Sequence, residues 1–177
     1  GIDTVVEHVA GRVPVIGNVS GGSTHLTVSL AHQVRESGLD GVAATPPYYY
    51  DCAQDELLDH YRYIRERSGA PLWIYNIPST VKTTVEPATI ARLAGEGTVV
   101  GIKDSSGAGE LLAQLNFLCE QGGIELYRFL GSMYRFTTTR SVGAHGVITG
   151  LPNVVPDISV KAWEAGEAGN SEDARED

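Results

Sequence analysis

The sequence predicts an α/β fold of parallel strands and helices, most specifically part of a (β/α)8 barrel. Six short apolar runs of strand length recur along the chain, and a segment of helical character follows each run. The alternation is unbroken over the 177 residues, so we expect a single domain spanning 1–177. The predicted strands are Val13–Val19, Gly41–Thr45, Leu72–Asn76, Val99–Lys103, Tyr127–Leu130 and Gly146–Thr149.

The helices between these strands are predicted from the spacing of apolar residues and from residues that favour helix ends. In Thr24–Glu36, apolar side chains recur at positions 26, 30 and 34, and Gly38 follows as a C-cap. Pro87–Leu93 has proline in its first turn, where the missing N–H costs no helical hydrogen bond. The remaining predicted helices are Ile2–Ala10, Gln54–Arg67, Ala108–Cys119 and Pro156–Trp163.

The number of strand–helix units does not by itself separate a barrel from a doubly wound sheet, but six units without a break fit a partial barrel better. A typical barrel has roughly 250 residues, about two units more than this chain. The chain opens on a helix-like stretch directly before its first strand. We therefore expect the missing units mainly at the N-terminus, and we expect the acidic C-terminal end to be a second incomplete edge.

Composition and charge exclude several classes of protein. The formal net charge of −9 argues against nucleic acid or an anionic membrane as the main partner, because both require a basic surface. No apolar run approaches the roughly 20 residues of a membrane helix, and no signal-peptide pattern opens the chain, so we expect a cytoplasmic protein. Cys52 and Cys119 show no disulfide or metal-site spacing and the histidines are scattered, so we expect reduced thiols and no metal.

Two predicted strand ends carry residues suited to carbonyl chemistry. Tyr75 and Lys103 lie 28 residues apart, a plausible length for one strand–helix–strand step, and catalytic groups of α/β barrels lie where strands end. Neighbouring strands are about 5 Å apart, so the phenol and the amine could meet there. Loss of solvent disfavours a charged lysine, and a neutral lysine attacks a ketone to form an iminium ion while a phenol moves protons.

Both residues also have a purely structural interpretation. Lys103 could extend to solvent or pair with Asp104, and Tyr75 could be a packed aromatic whose hydroxyl binds the backbone. Strand alternation also turns Trp73 to the same side as Tyr75, and no feature of the sequence explains how so large a ring fits there.

Four short motifs lie at or after the predicted strand ends: Thr45-Pro46-Pro47-Tyr48-Tyr49, Tyr75-Asn76-Ile77-Pro78-Ser79, Gly101-Ile102-Lys103-Asp104 and Gly143-Ala144-His145-Gly146-Val147-Ile148-Thr149-Gly150. In order and spacing they resemble the dihydrodipicolinate synthase/N-acetylneuraminate lyase family of class I aldolases, from about Val13 to the end of the chain. The resemblance implies a (β/α)8 barrel, usually a homotetramer, whose lysine forms a Schiff base with pyruvate or a related 2-keto acid. It implies no cofactor.

The resemblance also implies roles for individual residues. Lys103 would be the Schiff-base residue and Tyr75 the proton-relay phenol. Tyr49 resembles the aromatic residue that such proteins contribute to a neighbouring subunit's catalytic site, with Tyr48 beside it. Ile148 would face the bound keto acid. The substrate-binding residues that we expect are Tyr48, Thr45, Thr80, Ile148 and Gly150.

Two departures from the family's pattern bear on the reaction. Dihydrodipicolinate synthases normally carry an arginine for the aldehyde's carboxylate at the position of Thr80, so the partner of an anionic second substrate is missing. The family's loop that binds the keto-acid carboxylate belongs to an earlier strand, so we expect these 177 residues to be inactive alone.

The leading interpretation is a lyase or aldolase for 2-keto acids. The alternatives are an aldolase or dehydratase of 2-keto-3-deoxy sugar acids and a catalytically silent oligomeric scaffold.

Overall fold

The computed structural model describes residues 1–107, 109–132, 135 and 139–168. Within them six strands form one sheet, and each strand pairs in parallel with the next one along the chain. The prediction of a partial barrel of parallel strands is confirmed. The strands are β1 (Ile16–Asn18), β2 (Gly41–Ala44), β3 (Leu72–Asn76), β4 (Gly101–Asp104), β5 (Tyr127–Leu130) and β6 (Gly146–Val147).

Helices alternate with the strands as predicted from β1 to β5, with one addition, whereas the described residues between β5 and β6 contain a 3₁₀ turn and no α-helix. The addition is α4, a single turn that directly follows β3. Ala108, the expected start of α6, lies outside the described residues, and that helix begins at Glu110 after Gly109. The helices are α1 (Ile2–Val9), α2 (Thr24–Gln33), α3 (Gln54–Ser68), α4 (Pro78–Val81), α5 (Pro87–Gly95), α6 (Glu110–Gly122) and α7 (Pro156–Glu167), and 3₁₀ turns span Arg140–Val142 and Leu151–Asn153.

The sequence of α3 shows why its ends lie where they do. At the N-terminus the Glu56 carboxylate accepts a hydrogen bond of 2.8 Å from the backbone N–H of Ala53, which satisfies a donor that the helix cannot. At the C-terminus Gly69 adopts a left-handed conformation with φ of 67°, which glycine tolerates best. The apolar stripe of the helix, including Tyr61 and Ile64, is fully buried against the sheet.

Strand β1 is shorter than predicted, because Val13–Val15 and Val19 do not belong to it. Pro14 has no N–H to donate to a neighbouring strand. The N–H of Val15 donates instead to the side chain of Asp40, at 2.7 Å from Oδ2. The first strand therefore contributes only three residues to the sheet.

The helices cover one face of the sheet and form the hydrophobic core with it. Leu72 and Ile74 of β3 and Ile102 of β4 are fully buried there, together with Leu57 of α3 and Ile90 of α5. Burial of this apolar area is the main stabilising contribution to the fold. The core therefore lies outside the sheet, between the strands and the surrounding helices.

The opposite face of the sheet is the interior of the partial barrel, and it is open. Apolar side chains on this face keep much of their surface exposed: 37% for Ile16, 60% for Tyr127 and 39% for Ile148. Residues that alternate with the buried core positions, such as Tyr75 and Lys103, are half-buried. Any group on this face is therefore reachable from solvent through the carboxyl ends of the strands.

Trp73 fits on the inner face because glycines flank it on both sides. It pairs with Gly101 of β4, where a Cβ atom would lie 2.4 Å from the indole ring, and a Cβ at Gly41 would lie 3.4 Å from Nε1. The ring also stacks on Tyr127 and contacts Phe129, with centroids 5.9 Å and 5.5 Å away. The indole thus occupies space that two missing side chains leave open.

Both cysteines, Cys52 and Cys119, are unpaired thiols. Burial is the largest cause of a raised pKa at each thiol. Across the part of the chain that the structure describes, no helix has the length and apolar character required to span a membrane.

Candidate active site

Tyr75 and Lys103 lie side by side on the inner face, near the carboxyl ends of β3 and β4. They are direct partners in the register of the two parallel strands. The Lys103 Nζ atom lies over the face of the Tyr75 ring, 4.3 Å from its centroid. A cation in this position is attracted by the electron-rich ring face. The strand–helix–strand step inferred from the 28-residue separation therefore brings the Lys103 amine into contact with the Tyr75 ring.

A cavity of about 210 Å³ opens at this pair. Its wall crosses the inner face from β1 to β6, and Lys103 is the one charged residue among those that line it in the described part of the chain. The lining residues with most bearing on chemistry are Asn18, Ala43, Trp73, Tyr75, Lys103 and Ile148. The cavity is apolar with a few polar groups converging on it, which is the usual character of a small-molecule site.

The Lys103 amine contacts the face of the Tyr75 ring and not its hydroxyl group. The hydrogen bonds found among the described residues do not include one between the phenol and the amine. Catalytic hydrogen bonds are often long or absent without a ligand and form only when substrate is bound. The amine and the phenol nevertheless share one cavity, which is the arrangement that a proton relay requires.

A buried hydrogen-bond network fixes the strand ends beneath this pair. Asn76 and Asp104, one residue beyond Tyr75 and Lys103, are both fully buried. Asn76 Nδ2 donates to Asp104 Oδ1 at 2.9 Å, and Asn76 Oδ1 accepts from the N–H of Val85 at 3.0 Å. Ser106 donates its N–H to Asp104 Oδ1 and its hydroxyl to Oδ2. Asp104 is thus held by Asn76 and Ser106, and an Asp104–Lys103 ion pair is not among those of the described residues.

Thr45, a predicted substrate-binding residue, is 4% exposed at the end of β2. Its backbone N–H donates to Ser20 Oγ at 2.9 Å, and its carbonyl contacts His60 Nε2 at 3.2 Å. Its own hydroxyl has no hydrogen-bond partner among the described residues. A buried hydroxyl without a partner is energetically unfavourable, so Thr45 carries a polar group whose purpose the fold does not explain.

The remaining predicted residues do not line this cavity. Tyr49 is 78% exposed and stacks edge-on against Tyr50, with ring centroids 4.8 Å apart. Tyr48 is 51% exposed and lies near Gly22 in the loop after β1. Thr80 is exposed on α4, and Gly150 is exposed after β6. Within one chain the structure therefore brings together Tyr75, Lys103 and Ile148, and it leaves these four residues and Thr45 outside the cavity.

Two cavity residues, Asn18 and Trp73, were not among the predicted site residues. Asn18 ends β1, and its Oδ1 accepts hydrogen bonds from Ser20 N–H at 2.9 Å and Ser20 Oγ at 2.6 Å. Its position at a strand end was the available signal in the sequence, but a single asparagine there is not specific for any chemistry. The place of Trp73 in the cavity could not be predicted, because the room for its ring comes from glycines on the neighbouring strands.

A larger cavity of about 530 Å³ lies at the other end of the strands, away from Tyr75 and Lys103. It is lined by residues that precede or begin β4, β5 and β6, including Glu125, Arg128 and His145. The N–H of Arg128 donates to His145 Nδ1 at 3.0 Å, and burial together with Arg128 lowers the pKa of His145. Barrel enzymes use the carboxyl ends of their strands for catalysis, so the smaller cavity is the better candidate.

The comparison with known proteins agrees with this geometry. Residues 2–177 match the profile of the Dihydrodipicolinate synthetase family. The chain belongs to this family. It is 32% identical over 175 residues to a 4-hydroxy-tetrahydrodipicolinate synthase of Desulfotalea psychrophila, and 35% identical over 175 residues to the protein of the same name from Teredinibacter turnerae.

Solved structures of the dihydrodipicolinate synthetase family share the fold. The dihydrodipicolinate synthase of Thermotoga maritima superposes with a TM-score of 0.90 at 32% identity, over 99% of this chain and 60% of that protein. A monomeric dihydrodipicolinate synthase variant also gives a TM-score of 0.90, at 31% identity, over 99% of this chain and 59% of the variant. The two curated relatives are matched over 99% of this chain and 58% and 59% of their own lengths, so the chain spans less than two thirds of them.

Proposed function

We propose that the protein is a lyase that binds a 2-keto acid, such as pyruvate, as a Schiff base on Lys103 and makes or breaks the adjacent carbon–carbon bond. The observation that carries this proposal is the position of Lys103 Nζ, 4.3 Å from the centre of the Tyr75 ring in a shared cavity. Membership of the dihydrodipicolinate synthetase family, with curated relatives named as 4-hydroxy-tetrahydrodipicolinate synthases, supports the same chemistry.

In the first step the neutral amine of Lys103 attacks the keto carbon. A C–N bond forms, the electron pair of the C=O double bond moves to oxygen, and that oxygen takes a proton to give a carbinolamine. The nitrogen loses a proton, the hydroxyl leaves as water after gaining one, and an iminium ion remains. Tyr75 contacts the amine and supplies and accepts these protons in our proposal.

The iminium ion withdraws electrons from the neighbouring carbon. That carbon loses a proton to give an enamine. The enamine attacks an aldehyde carbon to form a new C–C bond, the electron pair of the aldehyde C=O double bond moves to oxygen, which takes a proton, and the nitrogen becomes an iminium ion again. Water then hydrolyses the iminium ion and releases the product and the lysine. Bond cleavage follows the same steps in reverse. Ile148, Trp73 and Ala43 surround the reacting atoms with an apolar wall, which strengthens electrostatic interactions within the site.

In our proposal the choice of second substrate is determined by residues outside the cavity. Thr80 provides a hydroxyl where a guanidinium would bind a second carboxylate, and it is exposed on α4 next to β3. A hydroxylated partner therefore suits this position better than an anionic aldehyde, which keeps an aldolase or dehydratase of 2-keto-3-deoxy sugar acids as the second candidate. Product analysis over a panel of aldehydes and sugar acids separates the two.

Assembly bears on the roles of Tyr48 and Tyr49. These exposed aromatics are the kind of residue enriched at protein interfaces. In our proposal Tyr49 enters the site of a neighbouring subunit in a cytoplasmic homo-oligomer, with Tyr48 and Gly150 in the loops around the substrate. In our proposal residues 1–177 belong to one barrel domain, of which they form an incomplete part, and the single sheet of the described residues supports this.

The alternative to an enzyme is a catalytically silent scaffold protein. In that case Lys103 would be expected to extend into bulk solvent, away from any concave surface. Its amine instead faces a cavity together with a phenol, an arrangement that favours an enzyme.

Borohydride trapping tests the proposal directly. The full-length protein that the gene encodes is incubated with pyruvate and sodium borohydride. The borohydride reduces an iminium ion to a stable secondary amine. Mass spectrometry should then find Lys103 carrying the mass of the keto acid less one oxygen atom. Lys103→Arg should abolish the adduct, whereas Lys161→Arg, an exposed lysine on α7, should retain it.

Tyr75→Phe tests the relay. Loss of the phenol should slow adduct formation by about 100-fold, within the range of general acid–base catalysis, while the ring contact with Lys103 is retained. An unmodified Lys103 in the wild-type protein at saturating keto acid would contradict the proposed function.

A further inference from the structure

Two neighbouring side chains of α3 hold the carbonyl groups at the end of β2 and directly after it. Tyr61 is fully buried, and its hydroxyl donates to the carbonyl of Ala44 at 3.2 Å. His60 is 4% exposed, and its Nε2 lies 3.2 Å from the carbonyl of Thr45. Since a carbonyl only accepts, Nε2 is the donor, and Nδ1 accepts from Thr24 Oγ1 of α2 at 2.8 Å. Both ring nitrogens of His60 are therefore engaged, and the imidazole is held in one orientation.

The carbonyl that His60 binds begins a rigid segment of the chain. It belongs to the planar peptide unit that joins Thr45 to Pro46. Proline fixes its own φ at about −65° and restricts the residue before it to extended conformations, and Pro47 repeats both restrictions. The direction of the Thr45 carbonyl is therefore carried through two prolines to the tyrosines that follow.

The tyrosines after the two prolines have little to hold them in place within one chain. Tyr48 is 51% exposed, Tyr49 and Tyr50 are each 78% exposed, and the last two rings contact each other. Pro46, at the base of the same loop, is buried. The position of the tyrosines is therefore determined more by the base of the loop than by contacts at its tip.

We propose that His60 is a positioning residue that directs the loop of residues 46–50 toward a neighbouring subunit, through its hydrogen bond to the Thr45 carbonyl. This inference rests on the proposed function, in which Tyr49 enters the site of that subunit. His60 does not line the substrate cavity, so it acts on the reaction only through the loop. Tyr61 holds the preceding carbonyl in the same way. The loop is thus arranged before the subunits and the substrate meet, which reduces the cost of ordering it.

Glutamine and asparagine at position 60 separate this hydrogen bond from the rest of the side chain. The amide nitrogen of glutamine reaches about as far as Nε2 of histidine and still donates to the Thr45 carbonyl, whereas that of asparagine reaches only about as far as Nδ1. In the full-length protein with saturating pyruvate and borohydride, adduct formation should slow about tenfold in His60→Asn, as for the loss of one hydrogen bond, and less than about threefold in His60→Gln. The pyruvate concentration for half-maximal trapping should change less than about threefold in both, because the substrate cavity is intact. His25→Asn, at an exposed histidine, is the matched control and should leave the rate unchanged.

A double-mutant cycle tests whether His60 acts through Tyr49. In a Tyr49→Phe background, His60→Asn should slow adduct formation less than about twofold further, because the hydroxyl that the loop delivers is already absent. The same tenfold effect in both backgrounds, about one hydrogen bond in each, would mean that His60 acts by another route and would overturn the inference.

Hydrogen exchange tests the loop independently of the reaction. Backbone amides of residues 48–52 in the full-length protein should exchange about tenfold faster in His60→Asn than in the wild type, and at about the wild-type rate in His60→Gln. Tyr61→Phe keeps the buried ring and loses only the hydrogen bond to the Ala44 carbonyl. It should also speed exchange, by about threefold or more, and it tests the same loop if His60→Asn does not fold.

The outcomes separate the two proposals. If the wild-type protein forms no adduct, the proposed function fails, and the exchange rates alone decide whether His60 holds the loop. If pyruvate is trapped and His60→Asn matches His60→Gln in both rate and exchange, the role of His60 is overturned and the Schiff-base mechanism stands. Slow trapping by His60→Asn with a loop that exchanges at the wild-type rate would overturn it too.

Discussion

His60 is a buried histidine that links α3 to the ends of two other elements. Its Nδ1 lies 2.8 Å from Thr24 Oγ1, and its Nε2 lies 3.2 Å from the carbonyl of Thr45. A carbonyl can only accept, so Nε2 carries the proton of a neutral ring and Nδ1 accepts from the threonine hydroxyl. Burial lowers the pKa of His60 from 6.5 to about 4. His60 is therefore uncharged in the folded protein.

His60 should make the protein less stable in mild acid. Between pH 6.5 and about 4 the unfolded chain takes up a proton on His60 and the folded chain does not, so the free energy of unfolding falls as the pH falls. The loss should approach about 3 kcal/mol below pH 4 and vanish above pH 6.5. Urea unfolding at pH 7 and pH 4.5 measures it.

His60→Gln should remove this part of the pH dependence, and His25→Gln, at an exposed histidine, should keep it. Carboxyl groups also contribute to acid stability, so the difference between the variant and the wild type is the relevant quantity. Equal slopes for His60→Gln and wild type would contradict the buried neutral histidine.

Thr45 presents the opposite case, a buried hydroxyl that has no hydrogen-bond partner among the described residues. Thr45→Val keeps the shape and removes the hydroxyl, so the free energy of unfolding should rise by about 1 kcal/mol. As a proposed substrate-binding residue, Thr45 should also affect trapping, and the variant should need more pyruvate for half-maximal adduct. Denaturant unfolding and borohydride trapping measure the two effects.

Thr83 supplies the matched control, because its buried hydroxyl also has no partner among the described residues. Thr83→Val should stabilise the protein to a similar extent and leave trapping unchanged. If both variants gain stability and both trap pyruvate normally, Thr45 has no part in binding.

At the scale of elements, the ends of β3 and β4 are held together by side chains as well as by the strand ladder. Asn76 and Asp104 are paired in register and hydrogen-bonded, directly after Tyr75 and Lys103. The network also reaches the loop before α5 through the N–H of Val85. This arrangement ties the geometry of Tyr75 and Lys103 to the stability of two strand ends.

Asn76→Ala should therefore reduce both stability and activity. It leaves the N–H of Val85 without its acceptor and removes the hydrogen bond from Asn76 to the buried Asp104 carboxyl group, which keeps only its bonds from Ser106, at a cost of about 3 kcal/mol in the free energy of unfolding. Trapping by the folded fraction should also slow, because Tyr75 and Lys103 lose their alignment. Ser106→Ala, at an exposed residue, should cost less than about 1 kcal/mol and leave trapping intact. A stable Asn76→Ala protein would show that the ladder alone fixes the strand ends.

The strands were predictable because each is a short apolar run that one helix-length segment separates from the next. The predicted bounds of β3 and β5 match the structure, and strand order then places Tyr75 beside Lys103. The single turn α4 was missed, since four residues are too few to show a helical period. This turn carries Thr80, the residue that bears on the second substrate in the proposed function.

The fit of Trp73 and the orientation of Asn18 were beyond prediction for a different reason. The room for the indole comes from Gly41 and Gly101, each 28 or more residues away along the chain. The Asn18 amide is oriented by Ser20, whose hydroxyl is in turn placed by Thr45 on the neighbouring strand. Contacts between strands determine both features, and local patterns carry no information about them.

At the scale of the whole molecule, the sheet has a covered outer face and an open inner one. The core lies between strands and helices, whereas Ile16, Tyr127 and Ile148 leave apolar surface exposed on the inner side. The two edge strands are short, three residues in β1 and two in β6, so they offer few backbone groups for pairing with another chain. Association through the inner face would therefore depend on side chains more than on strand addition.

These 177 residues, produced by themselves, should consequently self-associate and bind a hydrophobic dye. Ile16→Lys places a charge on the inner face at the edge strand and should weaken association about tenfold, as expected for losing the burial of one large aliphatic side chain. Val5→Lys, on the exposed side of α1, is the control and should have little effect. Sedimentation over a range of concentrations measures both. A monodisperse monomer that binds no dye would mean that the inner face is closed in solution, and the open cavity around Lys103 would then need another route for its substrate.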